Sequence, residues 1–393
     1  MDAQGFIRLA GPEGQALLEK VGPLESKTDV VKLVSRLRKD GHDPDLIANV
    51  LTQIKLRRKA QAKFGEFADS MFFTQAGLEQ ASRLQVAAIH ANRFRKAGVK
   101  QVADLGCGIG AESLALASLD LSVVAFEIDE ITAAVASYNL APFENVEVVH
   151  DDITKIDLEK FEAVFLDPAR RDGSARKFNP KDYTPDFEFV SSVARTKPSI
   201  VKLGPGFPHQ EIPDDSEAVW ISVDGDLVEL GLYFNQIKRE NISRSAMLLS
   251  PTGIYEITSA ETKRIDAPIG DLGDYVYEPD NALIRSHLLG ILANELHLNL
   301  FSSEIAYLTS NQLVDSPWLK KYRLVENLPF DRKKLKTYLT QQNIGSLEIK
   351  KRGADITPEQ LRKELNLKGD KPATLIITRV NNQHRALVVE PVK

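Results

Sequence analysis

Four carboxylates of this chain each close a short apolar run: Asp104 in "QVADL", Glu127 in "SVVAFEI", Asp152 in "VEVVHDDI" and Asp167 in "AVFLDPARR". Glycines 106, 108 and 110 follow the first of them in "DLGCGIGAES". Glycine there lets the backbone take positive φ and pass close to a ligand. A carboxylate at a strand end can accept from an ammonium, from a pair of ribose hydroxyls or from the amine of a base. Taken singly, each acid is as readily an ordinary strand terminus. At successive strand ends, Asp104, Glu127 and Asp152 point together to a nucleoside that also carries positive charge. The spacing G-x-G-x-G departs from the dinucleotide G-x-G-x-x-G, and Asp104 would repel a pyrophosphate. A P-loop is excluded, because no Gly-Lys-Ser/Thr follows.

Those acids need a frame. "QVADL", "SVVAFEI", "VEVVH", "AVFLD" and "SIVKL" are short and continuously apolar, the pattern of parallel strands buried on both faces by helices. "AVWISVDGDLVELGLYF" then places Asp224-Gly225 between two β-rich runs, a hairpin signal. The expected fold is α/β, a Rossmann-like seven-stranded sheet that is parallel apart from this terminal antiparallel hairpin. Residues 1–97 repeat apolar side chains at three- and four-residue spacing and read as helical, with no strand pattern before Val99. Residues 98–235 hold the sheet. Residues 236–322 form a connecting β and helical region, with a hairpin at Pro251-Thr252-Gly253 and one helix over "DNALIRSHLLGILANELHL", capped by Asp280 or Asn281. Residues 323–393 read strand, helix, strand, helix, hairpin, a small α/β module in which Thr357 caps a helix and Pro358 fills its first turn.

At 393 residues, 43% apolar and 27% charged, the chain is globular in composition and long enough for two or three domains. No apolar run reaches the roughly 20 residues of a membrane span, so no membrane is expected. The start lacks the basic and apolar parts of a secretory leader. A single cysteine, Cys107, forbids an intramolecular disulfide, and a cytoplasmic location is expected. No C-x-x-C or H-x-x-x-H pair occurs, and no metal is expected. The net charge of −5 conceals two basic blocks. Residues 54–100 carry ten Lys/Arg against three Asp/Glu, and residues 331–379 carry twelve against six. Two such blocks on an acidic chain suit a polyanion, although solvated helix faces give the same pattern.

"DLGCGIG", the Glu of "FEID", the Asp of "HDDI" and the terminal hairpin together resemble a class I S-adenosylmethionine-dependent methyltransferase over residues 98–235. The resemblance implies S-adenosylmethionine as cofactor, held by Asp104, Gly106, Gly108, Gly110, Glu127, Ile128 and Asp152. The glycine loop would support its methionine and ribose portions, Glu127 its ribose and Asp152 its adenine. "FFTQAGLEQAS", "LDPARRDG" and "EIKKRGADITPEQLRKEL" extend the similarity to bacterial methyltransferases with a C-terminal THUMP-like domain. That similarity implies RNA as the partner.

In this family the loop after the fourth strand lines the site of methyl transfer, which places Asp167 and Pro168 there as the catalytic pair. Amino methyltransferases carry a D/N/S-P-P-aromatic loop at this point, whereas this chain reads Asp-Pro-Ala-Arg. Asp167 and the Pro168 carbonyl still suit an amine, and Phe73 could lend the stacking ring, though a core position suits that phenylalanine too. Cys107 lies inside the glycine loop, which disfavours covalent thiolate addition to a pyrimidine. Arg170 and Arg171 bring guanidinium forks beside the loop, and Lys350, Lys351 and Arg352 add charge in the tail; all five are candidate phosphate contacts. Methylation of RNA at a base nitrogen leads the readings. A small-metabolite methyltransferase and a non-catalytic RNA-binding protein on the same scaffold stay open, and the oligomeric state is not legible.

Overall fold

The computed structural model describes residues 2–24, 29–169, 171–172, 175–176 and 182–392, with residues 171–176 described by backbone alone. The chain falls into two compact units, Met1–Leu203 with Leu232–Lys238, and Gly204–Gly231 with Arg239–Lys393.

The first unit begins with six helices: α1 (Ala3–Ala10), α2 (Pro12–Val21), α3 (Val30–Lys39), α4 (Pro44–Phe64), α5 (Gln75–Gln80) and α6 (Leu84–Lys96). Their starts follow local chemistry. Asp2, Asp29, Asp43 and Thr74 each accept a backbone N–H of the first turn of α1, α3, α4 and α5, and Pro44 occupies the first helical position of α4. Among the described residues no strand precedes Gln101.

Strands β1 (Gln101–Leu105), β2 (Ser122–Glu127), β3 (Val146–His150), β4 (Ala163–Leu166) and β5 (Ser199–Leu203) alternate with helices α7 (Ala111–Ala117), α8 (Glu130–Leu140) and α9 (Phe187–Ala194). They pair in parallel in the order β5-β4-β1-β2-β3. β4 and β5 are buried at every position, as strands covered on both faces must be. The register places the chemistry. Leu105 lies opposite Phe126 on one side and Leu166 on the other, and Leu166 lies opposite Val201. Gly106, Glu127, Asp167 and Lys202 therefore leave the sheet along one carboxyl edge.

The second unit contains β6 (Glu217–Val223) and the first part of β7 (Asp226–Phe234), joined by a two-residue turn at Asp224 and Gly225 with φ of 53° and 87°. Both central residues in the left-handed region match the twist of a hairpin. The last residues of β7, Leu232–Phe234, belong to the first unit, where β7 is the neighbour of β5. Beyond the expected seven strands, β8 (Arg244–Ser250) pairs in parallel with β6, and β9 (Gly253–Ser259) pairs antiparallel with β8. The hairpin at Pro251-Thr252-Gly253 thus extends a sheet instead of standing alone, because β8 is buried at six of its seven positions and needs a covered neighbour on each edge.

The helix expected over residues 281–298 is two helices, α10 (Asn281–Arg285) and α11 (Leu289–Glu295). The break falls at His287, whose φ of 65° cannot continue a right-handed helix. Asp280 is the cap, accepting from Ala282 N at 2.7 Å. A second sheet of seven strands follows, built from β10 (Tyr275–Pro279), β11 (Asn299–Leu300), β12 (Leu308–Ser310), β13 (Leu319–Pro329), β14 (Ile344–Lys351), β15 (Lys371–Val380) and β16 (Gln383–Val392). Their order is β11-β12-β10-β13-β16-β15-β14, so strands from residues 236–322 and from 323–393 share one sheet. Helices α12 (Arg332–Gln341) and α13 (Pro358–Leu365) cover it through Leu335, Leu339, Leu361 and Leu365. Thr357 occupies the cap position of α13, but its hydroxyl makes no capping bond.

Candidate active site

The glycine loop begins where β1 ends. Gly106, Gly108 and Gly110 have φ of 95°, 56° and 90°, the left-handed region that side chains resist. Gly106 N and Cys107 N both donate to the Phe126 carbonyl, at 3.0 and 2.9 Å, which folds the loop over the end of β2. A Cβ at Gly108 would meet nothing within 4 Å, so the loop is open at its crest. At Gly106 the neighbour is different: a Cβ there would lie 3.1 Å from the Asp167 carbonyl. The glycine loop and the Asp167 loop are in direct contact.

Asp104 is fully buried beneath this loop. Ser113 donates to its Oδ2 at 2.5 Å, while its Oδ1 has no hydrogen-bond partner among the described residues. Burial, with Glu112 and Asp167 nearby, pushes the Asp104 carboxyl up to about 7. Such an acid waits for a cation. Glu127 is held by two backbone donors, Gly108 N at 3.0 Å and Asp129 N at 2.9 Å, which leave each oxygen a lone pair for a further donor. Beside it Ile128 is 65% exposed, an apolar side chain presented at the same edge. Asp152 is more committed. Thr154 Oγ1 and N donate to its Oδ1 at 2.7 and 3.0 Å, Lys155 pairs with Oδ2 at 3.1 Å, and these contacts, the Thr154 hydroxyl first, hold its carboxyl down to about 2.

Asp167 meets a residue that the sequence did not single out. Lys202, at the matching position on β5, donates to Asp167 Oδ2 at 2.6 Å and to the Gln80 carbonyl at 3.2 Å. Lys202 is 5% exposed, and a lysine that deep is ordinarily paired. Its one available sign in the sequence is a lone lysine inside the apolar run "SIVKL". The following Pro168 is buried, and Ala169 exchanges backbone bonds with Thr184 at 2.9 and 3.0 Å, which fixes the exit of the loop.

The stretch from Met71 to Ala81 is pinned against these loops. Asn139 accepts from Phe72 N at 2.8 Å and donates to the Phe72 and Ile109 carbonyls at 3.0 Å, tying it to the glycine loop. With its amide oriented by its neighbours, Gln53 accepts from Phe73 N at 2.9 Å and donates to Phe73 O at 3.1 Å. Lys63 Nζ binds the carbonyls of Leu78, Glu79 and Ala81 at 2.8, 3.0 and 2.7 Å. Burial and then Lys202 bring the Lys63 ammonium down to about 8. Phe73 is 1% exposed and packs on Phe64 at 5.4 Å, so its ring belongs to the helical core and presents no face for stacking. Cys107 is buried, and burial pushes its thiol up, the opposite of a nucleophile's requirement.

Of the basic candidates, Arg170 lies outside the described residues, as does the side chain of Arg171. Lys350 pairs with Glu278 at 2.9 Å and Glu348 at 3.4 Å, and its charge is matched within the fold. Arg352 donates to the Ala306 carbonyl at 2.6 Å and lies over the Tyr307 ring at 5.0 Å. Lys351 donates to the Ile356 carbonyl at 2.6 Å on an exposed strand end. Among the described residues no group of His, Cys, Asp and Glu has the arrangement of a metal site, and no helix is long and apolar enough to cross a membrane.

Known proteins resemble this chain in sequence and in fold. Residues 67–180 match the methyltransferase small domain family, residues 319–391 the THUMP domain-like family, and residues 2–60 a domain of unknown function, DUF8688. Over 337 residues the chain is 30% identical to an uncharacterized S-adenosylmethionine-dependent methyltransferase of Mycobacterium tuberculosis, covering 83% of this chain and 90% of that protein. A stretch of 70 residues is 43% identical to ribosomal RNA small subunit methyltransferase A of Ligilactobacillus salivarius, 18% of this chain and 24% of that one. A protein of Porphyromonas gingivalis W83, solved as a candidate methyltransferase, shares the fold over the whole of both chains with a TM-score of 0.74 at 20% identity. With sequence identity across most of its length added to the open glycine loop and the buried Asp104, whose Oδ1 has no partner among the described residues, the chain belongs to the S-adenosylmethionine-dependent methyltransferases and carries a THUMP-like domain at its C-terminal end.

Proposed function

We propose that the protein methylates RNA at a base nitrogen, with Asp167 and the Pro168 carbonyl as the acceptor-holding pair. The observation that carries this reading is the contact between the two loops. The Asp167 carbonyl borders Gly106, so an acceptor held by Asp167 stands beside the ligand that the glycine loop cradles. S-adenosylmethionine supplies an electrophilic methyl group on a sulfonium. Asp104 Oδ1 suits its ammonium, Glu127 its ribose hydroxyls, Ile128 and Asp152 its adenine, and the open crest at Gly108 leaves room for it. Methyl transfer depends on alignment more than on a catalytic acid or base. Lys202 holds Oδ2 of Asp167, which leaves Oδ1 and the Pro168 carbonyl to accept the N–H bonds of an exocyclic amine. Because Phe73 is buried, a stacking ring must come from elsewhere or be dispensed with.

RNA as the substrate is supported by the relative that is named for ribosomal RNA methylation, by the THUMP-like match, and by the exposed lysines 333, 334 and 336 of α12. With Lys350 and Arg352 engaged by the fold, α12 is the better source of phosphate contacts in that domain. Mass spectrometry of nucleosides from cells with and without the protein tests the reading. Loss of one base-methylated nucleoside from RNA supports it; an unchanged RNA inventory with a methylated metabolite missing favours the small-molecule alternative.

A further inference from the structure

The second unit contains a polar cavity of about 220 Å³, several times the roughly 30 Å³ share of one water. Gln210, Ser216, Ser243 and Thr262 line it together with His209 and Arg244. Arg244 opens β8 and is 8% exposed. Its Nη1 lies 2.9 Å from His209 Nδ1, 3.4 Å from His287 Nδ1 and 3.5 Å from the Ser286 carbonyl. The two imidazoles stack with centroids 3.9 Å apart and planes at 14°, and His209 stacks in turn on Trp220 at 5.2 Å. The guanidinium also lies over the Trp220 ring, 5.7 Å from its centroid.

The charge balance of this cluster is incomplete. An arginine has only donors, so both Nδ1 atoms must accept from it, and both rings are neutral with their protons on Nε2. Burial, followed by His287 and Arg244, brings the His209 imidazole down to about 3, in keeping with a neutral ring. Among the described residues no carboxylate pairs with Arg244. Buried cations are ordinarily paired, and one left without a carboxylate calls for an anion from outside the fold. The polar groups lining the cavity are hydroxyls, an amide, N–H donors and one carboxylate, that of Asp214, and a guanidinium fork matches a tetrahedral oxyanion.

We propose that this cavity seats a phosphate-class oxyanion, with Arg244 as its charged donor and the His209–His287 stack holding the guanidinium in place. The phosphate comes either from a polynucleotide backbone or from a free phosphate or nucleotide. Asp214, exposed, also lines the cavity, and its charge opposes the anion. The proposal does not depend on the one for methyl transfer.

Calorimetric titration of the full chain with inorganic phosphate tests the site. Saturable binding is expected, and Arg244→Gln should weaken it by about tenfold or more. Thr262→Glu, an exposed change that keeps the fold, should do the same by repulsion, while Asp214→Asn should tighten it. Titration with a short RNA separates the sources. If the phosphate is a backbone phosphate, Thr262→Glu lowers RNA affinity and reduces the slope of log affinity against log salt by about 1. If phosphate binding responds to the variants and RNA binding does not, the ligand is free phosphate or a nucleotide. Absence of saturable phosphate binding, or equal binding by wild type and Thr262→Glu, overturns the proposal.

Discussion

Lys202 Nζ lies 2.6 Å from Asp167 Oδ2, and the same ammonium reaches the Gln80 carbonyl at 3.2 Å. One buried lysine therefore joins the loop after β4 to the C-terminal end of α5. The parallel register brings the two residues side by side, because Leu166 and Val201 are partners and Asp167 and Lys202 follow them. Lys202→Met leaves the carboxylate without its anchor. We expect kcat for methyl transfer to fall by about 100-fold, the cost of a misplaced reacting group, with S-adenosylmethionine affinity near wild type. Lys202→Arg should recover part of kcat. Equal loss of cofactor binding in both variants would show that Lys202 is merely structural.

Asp104 gives a pH dependence whose sign is fixed by its environment. Its carboxyl stands near 7 in the folded chain against an ordinary 3.8. A raised carboxyl contributes stability that is complete below about pH 4 and is lost as pH rises through about 7. Thermal melts of the cofactor-free protein should therefore weaken between about pH 5 and 8, and Asp104→Asn should flatten that trend. Cofactor affinity should run the other way, rising across the same window as the carboxylate forms to meet the ammonium. Calorimetry at about pH 6 and pH 8 checks both signs at once.

Gly106 has no room for a side chain. Its φ of 95°, and an Asp167 carbonyl only 3.1 Å from where a Cβ would stand, oppose any substitution. Gly106→Ala should cost about 1–3 kcal/mol of stability and weaken cofactor binding together with methyl transfer. A melting temperature and cofactor affinity equal to wild type would contradict the contact between the two loops.

Lys63 clamps three carbonyls at the end of α5. Lys63→Met should speed amide hydrogen exchange at residues 77–82 by about 10-fold or more, with little change in the amides of β1 and β4. Unchanged exchange across α5 would show that the clamp contributes nothing to local order.

The parts of the site that the sequence displayed were those written in local chemistry. "GCGIG" shows by its glycines alone that the backbone takes positive φ there, and four acids announce themselves by ending apolar runs. Asp224-Gly225 marks its own turn. Lys202, Asn139 and Gln53 were invisible for the opposite reason: each is a polar residue within an apolar or helical pattern, and its partner lies 20 or more residues away. The parallel pairing of β8 with β6 was equally hidden, since a strand carries no local record of its partner. The single helix read over residues 281–298 failed at His287, where periodicity continues but the backbone does not. Periodicity reports which side chains are apolar and says nothing of one left-handed residue.

Transfer of a labelled methyl group from S-adenosylmethionine to RNA, by wild type and by Asp167→Ala with cofactor affinity measured in parallel, tests the proposed activity most directly. Label should enter RNA with wild type and fall at least about 100-fold with Asp167→Ala, while cofactor affinity changes little. Undiminished transfer by Asp167→Ala, or label that never enters RNA, would contradict it.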